Sequence, residues 1–194
     1  MINQIMACGF DWSVFWTMIG ALATIGVARI AYRQLNKFNK ISMAEFAHKC
    51  ENNFFISETR QLFMLFENDL MIFRKTPLNN IEMAGETEPI FAYFEIDQSK
   101  LKSNPILSSF ISDPQRKYSS YEIDDLLLGP LDNVGTYYRE KLMDIRIVKS
   151  FFRYYIVELY KNRQIKDYID WNNTLPGGKD TYKNFIEIHN ELET

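Results

Sequence analysis

An all-α fold, with a single N-terminal transmembrane helix followed by a cytoplasmic helical bundle, is predicted by three features of the sequence. The run Trp12–Ala28, WSVFWTMIGALATIGVA, holds seventeen residues without a charge, between Asp11 and Arg29. From Ile41 onward, apolar residues recur mainly at helical spacing. The composition, 46% hydrophobic and 24% charged, is that of a chain that folds around a core. The expected organisation is a short extracytoplasmic tail over 1–11, a transmembrane helix with a cytoplasmic extension over 12–40, and a cytoplasmic helical domain over 41–194. Residues 76–117 read as an irregular insertion in that domain.

Seventeen helical residues reach roughly 26 Å, at the edge of a bilayer core of about 30 Å. Phe10 and Ile30–Tyr32 lengthen the span, and Trp12, Trp16 and Tyr32 sit near its ends, where amphipathic rings favour the headgroup level. A cleavable signal peptide is excluded by charge, since Met1–Phe10 holds no Lys or Arg. The cations follow the run instead: Arg29, Arg33, Lys37 and Lys40, with no acid between Asp11 and Glu45. The positive-inside rule then leaves the N-terminus outside and the remainder cytoplasmic. A buried core helix starting at Trp12 is the alternative reading.

At about 100° per residue, Ser13, Thr17, Gly20, Ala21, Thr24, Ala28 and Ala31 fall within roughly a third of the helical wheel. Small and hydroxyl-bearing residues on a membrane helix let backbones approach closely. With one span in the chain, the facing protein is another copy, so self-association is the expected partnership. The face either lines a pore or closes a dry bundle; Ser and Thr bonded to their own helix carbonyls on a lone anchor is the plainer alternative. Arg29, Arg33, Lys37 and Lys40 share the bulkier side and are expected at lipid headgroups.

In the cytoplasmic part, Ile41, Ala44, Ala47 and Cys50 form a stripe running into Phe54 and Phe55. Ser57 reads as the N-cap of a helix continuing to Phe73, with Leu62, Phe63, Phe66 and Leu70 at core spacing. Within 76–117, IFAYFEI reads equally as a strand or a helical turn. Ser119 or Ser120 caps the next helix, whose stripe is Ile123, Leu127, Leu131, Val134, Tyr138 and Leu142. Gly129-Pro130 must kink or split it, because proline removes a donor and clashes with the preceding turn. Asp144 caps a long basic helix, IRIVKSFFRYYIVELYKNRQIKDYI, and 181–192 closes the chain as an amphipathic helix. With fifteen Phe and eleven Tyr, the core is expected to depend on large rings.

Chemistry is sparsely represented. The net charge of −3 excludes a general attraction to nucleic acid. The bias of the basic helix reads as a solvated face or subunit contact ahead of RNA contact. Cys8 and Cys50 flank the span and cannot pair across it; a reduced cytoplasmic domain follows. No Cys/His cluster has metal-ligand spacing, and no cofactor is expected. Helical ribonucleases of the HEPN type place an Arg four to six residues before a His that does acid/base work. No Arg precedes His48 or His189 at that spacing, and only Lys183 and His189 approximate it. They are the sole, weak catalytic candidates, and the chain is expected not to be an enzyme.

The order FDWSVFWTMIGALATIGVARIAYRQLNK, SETRQLFMLFENDL and NVGTYYREKLMDIRIVKSFFRYYI resembles the small accessory membrane proteins of type VI-B CRISPR systems. That resemblance implies an oligomeric inner-membrane pore cooperating with an RNA-guided RNA-cleaving effector and depolarising the membrane during antiviral defence. It also implies a divergent HEPN domain, from whose Arg-to-His motif this sequence departs. The small-residue face then supplies the candidate pore-lining residues. The alternatives are a membrane-tethered HEPN-like RNase, and a non-catalytic anchor or adaptor for a defence complex.

Overall fold

A computed structural model describes residues 12–54, 56–75 and 92–194. The chain divides into two compact units, residues 1–42 and 43–194. Most described residues are helical, with one small sheet.

Helix α1, Trp12–Phe54, is continuous over 43 residues, roughly 65 Å of axis. It holds no proline and no acid before Glu45, so nothing breaks the ladder at the expected end of the span. Within the second unit, its last turns bury Ala47 and Phe54. The short extracytoplasmic tail expected over 1–11 lies outside the described residues.

Helix α2, Ser57–Glu67, buries Leu62, Phe63, Leu65 and Phe66. Two expectations need correction here. Its N-cap position is held by Ile56, with no side-chain cap, so Ser57 is already inside the first turn. The helix also stops at Glu67 instead of reaching Phe73. Asp69 adopts a left-handed backbone (φ 52°), and Met71–Lys75 leaves the turn as strand β1. β1 pairs antiparallel with β2, Ala92–Ile96, in the register Phe73↔Phe94. β2 pairs with the short β3, Lys117–Ser119. The IFAYFEI ambiguity is thus resolved as a strand: Ala92, Phe94 and Ile96 face inward and Tyr93 and Glu95 outward.

The stretch expected to be irregular is ordered from residue 92 on; residues 76–91 lie outside the described part. Asp97 caps α3, Gln98–Ser103, accepting from the Ser99 and Lys100 amides. Asn104 caps α4, Pro105–Phe110, whose proline occupies the first turn, where its missing N–H costs nothing.

Ser119 caps α5, Ser120–Ile123, in a reciprocal capping box with Glu122. A single π-turn, Asp124–Leu128, then leads into α6, Gly129–Arg139. The expected break at Gly129-Pro130 takes this form. The Gly129 N–H bonds the Asp124 carbonyl, and a Cβ on residue 129 would lie 2.7 Å from that oxygen. Ile123, Leu127, Leu131 and Val134 are buried as their spacing predicts, but Leu142 is exposed.

The long basic helix is three helices: α7, Ile145–Phe151, α8, Arg153–Lys161, and α9, Arg163–Asn173. Asp144 caps α7 as expected. The second break is made by Asn162, which is buried and works in both directions. Its Oδ1 accepts from the Gln164 and Ile165 amides, capping α9. Its Nδ2 donates to the Phe66 carbonyl at 2.7 Å and to Asp69 Oδ1 at 3.0 Å. A periodicity argument sees only that the apolar stripe continues, and misses the amide that interrupts it. Helix α10, Lys183–Glu193, closes the chain close to the expected limits.

The core is built on rings. Phe94 lies 5.3 Å from Phe66, 5.2 Å from Phe73 and 5.4 Å from Tyr168, mostly edge to face, the arrangement favoured by ring quadrupoles. Gln164 of α9 accepts the Phe73 amide at 2.7 Å, so the outer edge of β1 is partly closed by a side chain.

Two outcomes follow from Asn162. Asn162→Ala loses a cap and leaves the Phe66 carbonyl without its donor, and is expected to cost about 2–3 kcal/mol in urea unfolding. Asn162→Asp keeps the cap but sets a second carboxylate against Asp69, and should be destabilised as well.

Candidate functional site

The residues expected at an assembly face lie on α1. Thr17, Gly20, Ala21, Thr24, Ala28 and Ala31 are exposed; the side chain of Ser13 lies outside the described residues. The Thr24 hydroxyl donates to the Gly20 carbonyl at 2.8 Å, one turn back, so this polar group is satisfied without water. A Cβ at Gly20 would meet nothing within 4 Å, leaving room there for a second backbone. Arg29, Arg33, Lys37 and Lys40 are all exposed.

The larger fact about α1 is apolar. Trp16, Met18, Ile19, Leu22, Ile25, Val27, Ile30, Tyr32, Leu35, Phe38 and Ile41 are between 40% and 67% exposed. Its apolar residues are spread around the whole helix instead of gathered on one face. Among the described residues, no helical stretch is long and apolar enough to cross a membrane. The side chains of residues 12–15, which open the uncharged run, are not among them.

The two weak catalytic candidates are not brought together. Six residues on α10 separate Lys183 and His189 by about 9 Å along the axis and about 120° around it. Lys183 Nζ lies 3.8 Å from Glu187. The His189 side chain is 6% exposed, with Nε2 3.6 Å from Glu193. Its ring lies against Tyr160 at a centroid distance of 4.0 Å, and Lys166 sits 4.9 Å from that tyrosine ring. An imidazole so covered offers little to a ribose hydroxyl.

Three of the six basic residues on α7–α9 are paired locally. Arg146 pairs with Asp144 at 2.8 Å, Lys161 with Glu158 at 2.9 Å and Arg163 with Asp167 at 3.7 Å. The Cys50 thiol is pushed up by burial, which disfavours the reactive thiolate. Among the described residues, no three His, Cys, Asp or Glu side chains gather as a metal-ligand set.

A buried acid–tyrosine cluster was not legible in the sequence. Asp124, at the start of the π-turn, accepts from Tyr168 Oη at 2.7 Å and 2.9 Å, and from Tyr182 Oη. It ties the π-turn to α9 and to the start of α10. Tyr182 holds a left-handed backbone (φ 60°), which costs about 1–2 kcal/mol and is offset by its hydroxyl's bond. Burial raises the Asp124 pKa, opposed by the two hydroxyls. Burial and the neighbouring carboxylate push both tyrosines up as well. The only sequence signal was an acid within an apolar helical stripe. Among the described residues, no buried side-chain nitrogen or oxygen lacks a partner, so the cluster is a satisfied core network.

A third tyrosine, Tyr154, is held by Glu67, whose hydrogen bond pushes its phenol up to about 12.

No protein-family model, curated protein or solved structure matches this chain.

The raised Asp124 pKa fixes a sign. With the folded value above the unfolded one, its contribution is complete below the ordinary carboxylate pKa and is lost as pH rises through the raised value. Asp124→Asn is expected to flatten that part of the urea-midpoint profile. Tyr182→Phe removes a bond that favours the carboxylate, and should move the loss to higher pH. Asp124→Ala leaves two buried hydroxyls without their acceptor and should cost about 2–4 kcal/mol.

Proposed function

We propose that the chain is a homo-oligomeric membrane protein whose α1 crosses a bacterial inner membrane and packs against its copies to form a gated pore. The carrying observation is the exposure of eleven large apolar side chains along α1. Monomers that live in water rarely expose contiguous apolar surface beyond a few hundred Å². Lipid and neighbouring helices are the two environments that would cover such a surface all round.

The sequence supports a span on length. Residues 12–32 include the uncharged run and its flanks, roughly 31 Å of helix against about 30 Å of hydrocarbon. Arg29 lies inside that length, and its stem can carry the guanidinium to the interface. Arg33, Lys37 and Lys40 follow on the cytoplasmic side, where they would meet anionic headgroups. Packing between copies is supported by Gly20, with open space at its Cβ position, while the bond of Thr24 to its own helix fits a lone anchor equally. Such a face packs dry at rest and wets when the helices separate, which suits a pore held closed until a signal arrives. Coupling to an RNA-guided RNase effector is what the family resemblance adds. The burial of His189 under Tyr160 supports a non-enzymatic reading.

The test is the mass of the full chain in mild detergent, by light scattering with detergent correction, followed by ion flux from vesicles carrying it. A discrete oligomer that conducts is expected; a monomer would overturn the proposal, and an oligomer without flux would leave only an anchor. Gly20→Leu keeps the helix but blocks close approach, and should weaken assembly by about tenfold or more. Thr24→Leu should act in the same direction.

A further inference from the structure

Helix α4 carries the most exposed large apolar side chains among the described residues of the second unit, Ile106 at 72% and Phe110 at 65%. Lying four residues apart, they share one side of the helix. α4 holds no charged residue and contributes no buried one. Its mounting is nevertheless firm. Leu101 before it and Ile111 after it are buried, Leu107 packs on the core, and Asn104 Oδ1 caps it through the Leu107 amide. Its polar groups are met from within. Pro105 has no amide proton, and the hydroxyls of Ser108 and Ser109 donate to the Pro105 and Ile106 carbonyls at 2.8 Å and 2.7 Å. The exposed side of α4 can therefore leave water without stranding those donors.

The charge around α4 is positive in a chain whose net charge is −3. Residues 97–117 hold Lys100, Lys102, Arg116 and Lys117 against Asp97 and Asp113. Both acids are turned onto backbone amides, Asp97 onto those of Ser99 and Lys100, and Asp113 onto that of Gln115. Arg116 is paired with Glu122, Lys100 donates to the Asp69 carbonyl, and Lys117 lies over the Tyr93 ring. Lys102 is different. It stands in the last turn of α3, three residues before α4, exposed and with no acid partner among the described residues.

We propose that α4 seats Phe110 and Ile106 in the anionic surface of a lipid bilayer, with the Lys102 ammonium at the headgroups. An apolar pair enters the boundary between headgroups and acyl chains, and a neighbouring cation is held by anionic lipid. A protein partner suits this patch less well, because lysine is depleted at protein interfaces. The contact rests on the membrane reading of α1. Two apolar side chains hold a free protein weakly, but a chain already anchored by a span meets the surface at high effective concentration. α4 then acts as a second attachment, which fixes how the second unit is turned toward the leaflet and which responds to lipid charge and to salt.

The test uses the full chain carrying Cys8→Ser and Cys50→Ser, reconstituted in vesicles of phosphatidylcholine with or without phosphatidylglycerol. A fluorophore on Ser109→Cys leaves Ile106 and Phe110 in place, and nitroxide-bearing lipid quenches it only on contact with the bilayer. A second sample carries the fluorophore on Leu22→Cys in α1. The expected result is quenching of the Ser109→Cys probe in the anionic vesicles, reduced by salt and in phosphatidylcholine alone. Lys102→Gln should weaken the lipid-bound population by about fivefold. Ile106→Ser with Phe110→Ser should abolish the quenching at position 109 while leaving that at position 22. Equal quenching in both lipids overturns the anionic surface as the occupant. A probe at 109 shielded only as protein density rises, without lipid quenching, overturns it in favour of a second copy. No quenching at 109 with quenching at 22 overturns the α4 contact and leaves the span standing; no quenching at either overturns both.

Discussion

The second unit depends on one buried side-chain amide. Asn162 uses its oxygen to start α9 and its nitrogen to hold the last turn of α2 and the Asp69 carboxylate. Burying an amide costs several kcal/mol when its groups go unmet, and here each end has a partner. Once α2 is stopped there, Asp69 turns the chain into β1. The Asp97 amide then bonds the Leu70 carbonyl at 2.7 Å, which sets the end of β2 against the start of β1. The direction of α9 follows from the same residue, and with it the approach of Tyr168 to Phe94 and Asp124.

The two units meet opposite solvation demands. The second is fastened by polar side chains at several of its turns, with Asp124, Asp132 and Asn162 each satisfying groups from elements distant in sequence. Asp132 is typical: Oδ1 accepts the Phe185 amide at 2.9 Å and Oδ2 accepts from Asn184 at 3.0 Å, fastening α10 to α6. The described part of the first unit has no such interior. It is a helix whose hydroxyl Thr24 is satisfied within its own turn and whose large apolar side chains have no core of their own to fill. Stability resides in one unit and unmet surface in the other.

How much of this was legible in the sequence depends on the reach of each interaction. Local rules held where the deciding contact spans a few residues: Ser119 with Glu122, Asp144 with the Ile147 amide, and the break at Gly129-Pro130. They failed where a contact crosses the fold. Asn162 reaches back to Phe66, and Leu70–Phe73 looks helical until β2 arrives from more than twenty residues away. The small-residue face of α1 could be drawn from spacing alone because a helix fixes which residues share a side. The acid–tyrosine cluster could not, since Asp124, Tyr168 and Tyr182 lie on three separate elements.

The close backbone approaches around α6 bear on how distant kin of this chain would be recognised. Residue 129 faces the Asp124 carbonyl, and a Cβ on residue 135 would lie 2.3 Å from the Asn184 carbonyl. Neither position can accept a side chain without moving backbone, however far the surrounding sequence drifts. Asp124 and Asp132 are fixed beside them by their buried partners. The spacing D-x4-G-x2-D-x2-G, from Asp124 to Gly135, is therefore the pattern this geometry would hold longest as the surrounding sequence drifts.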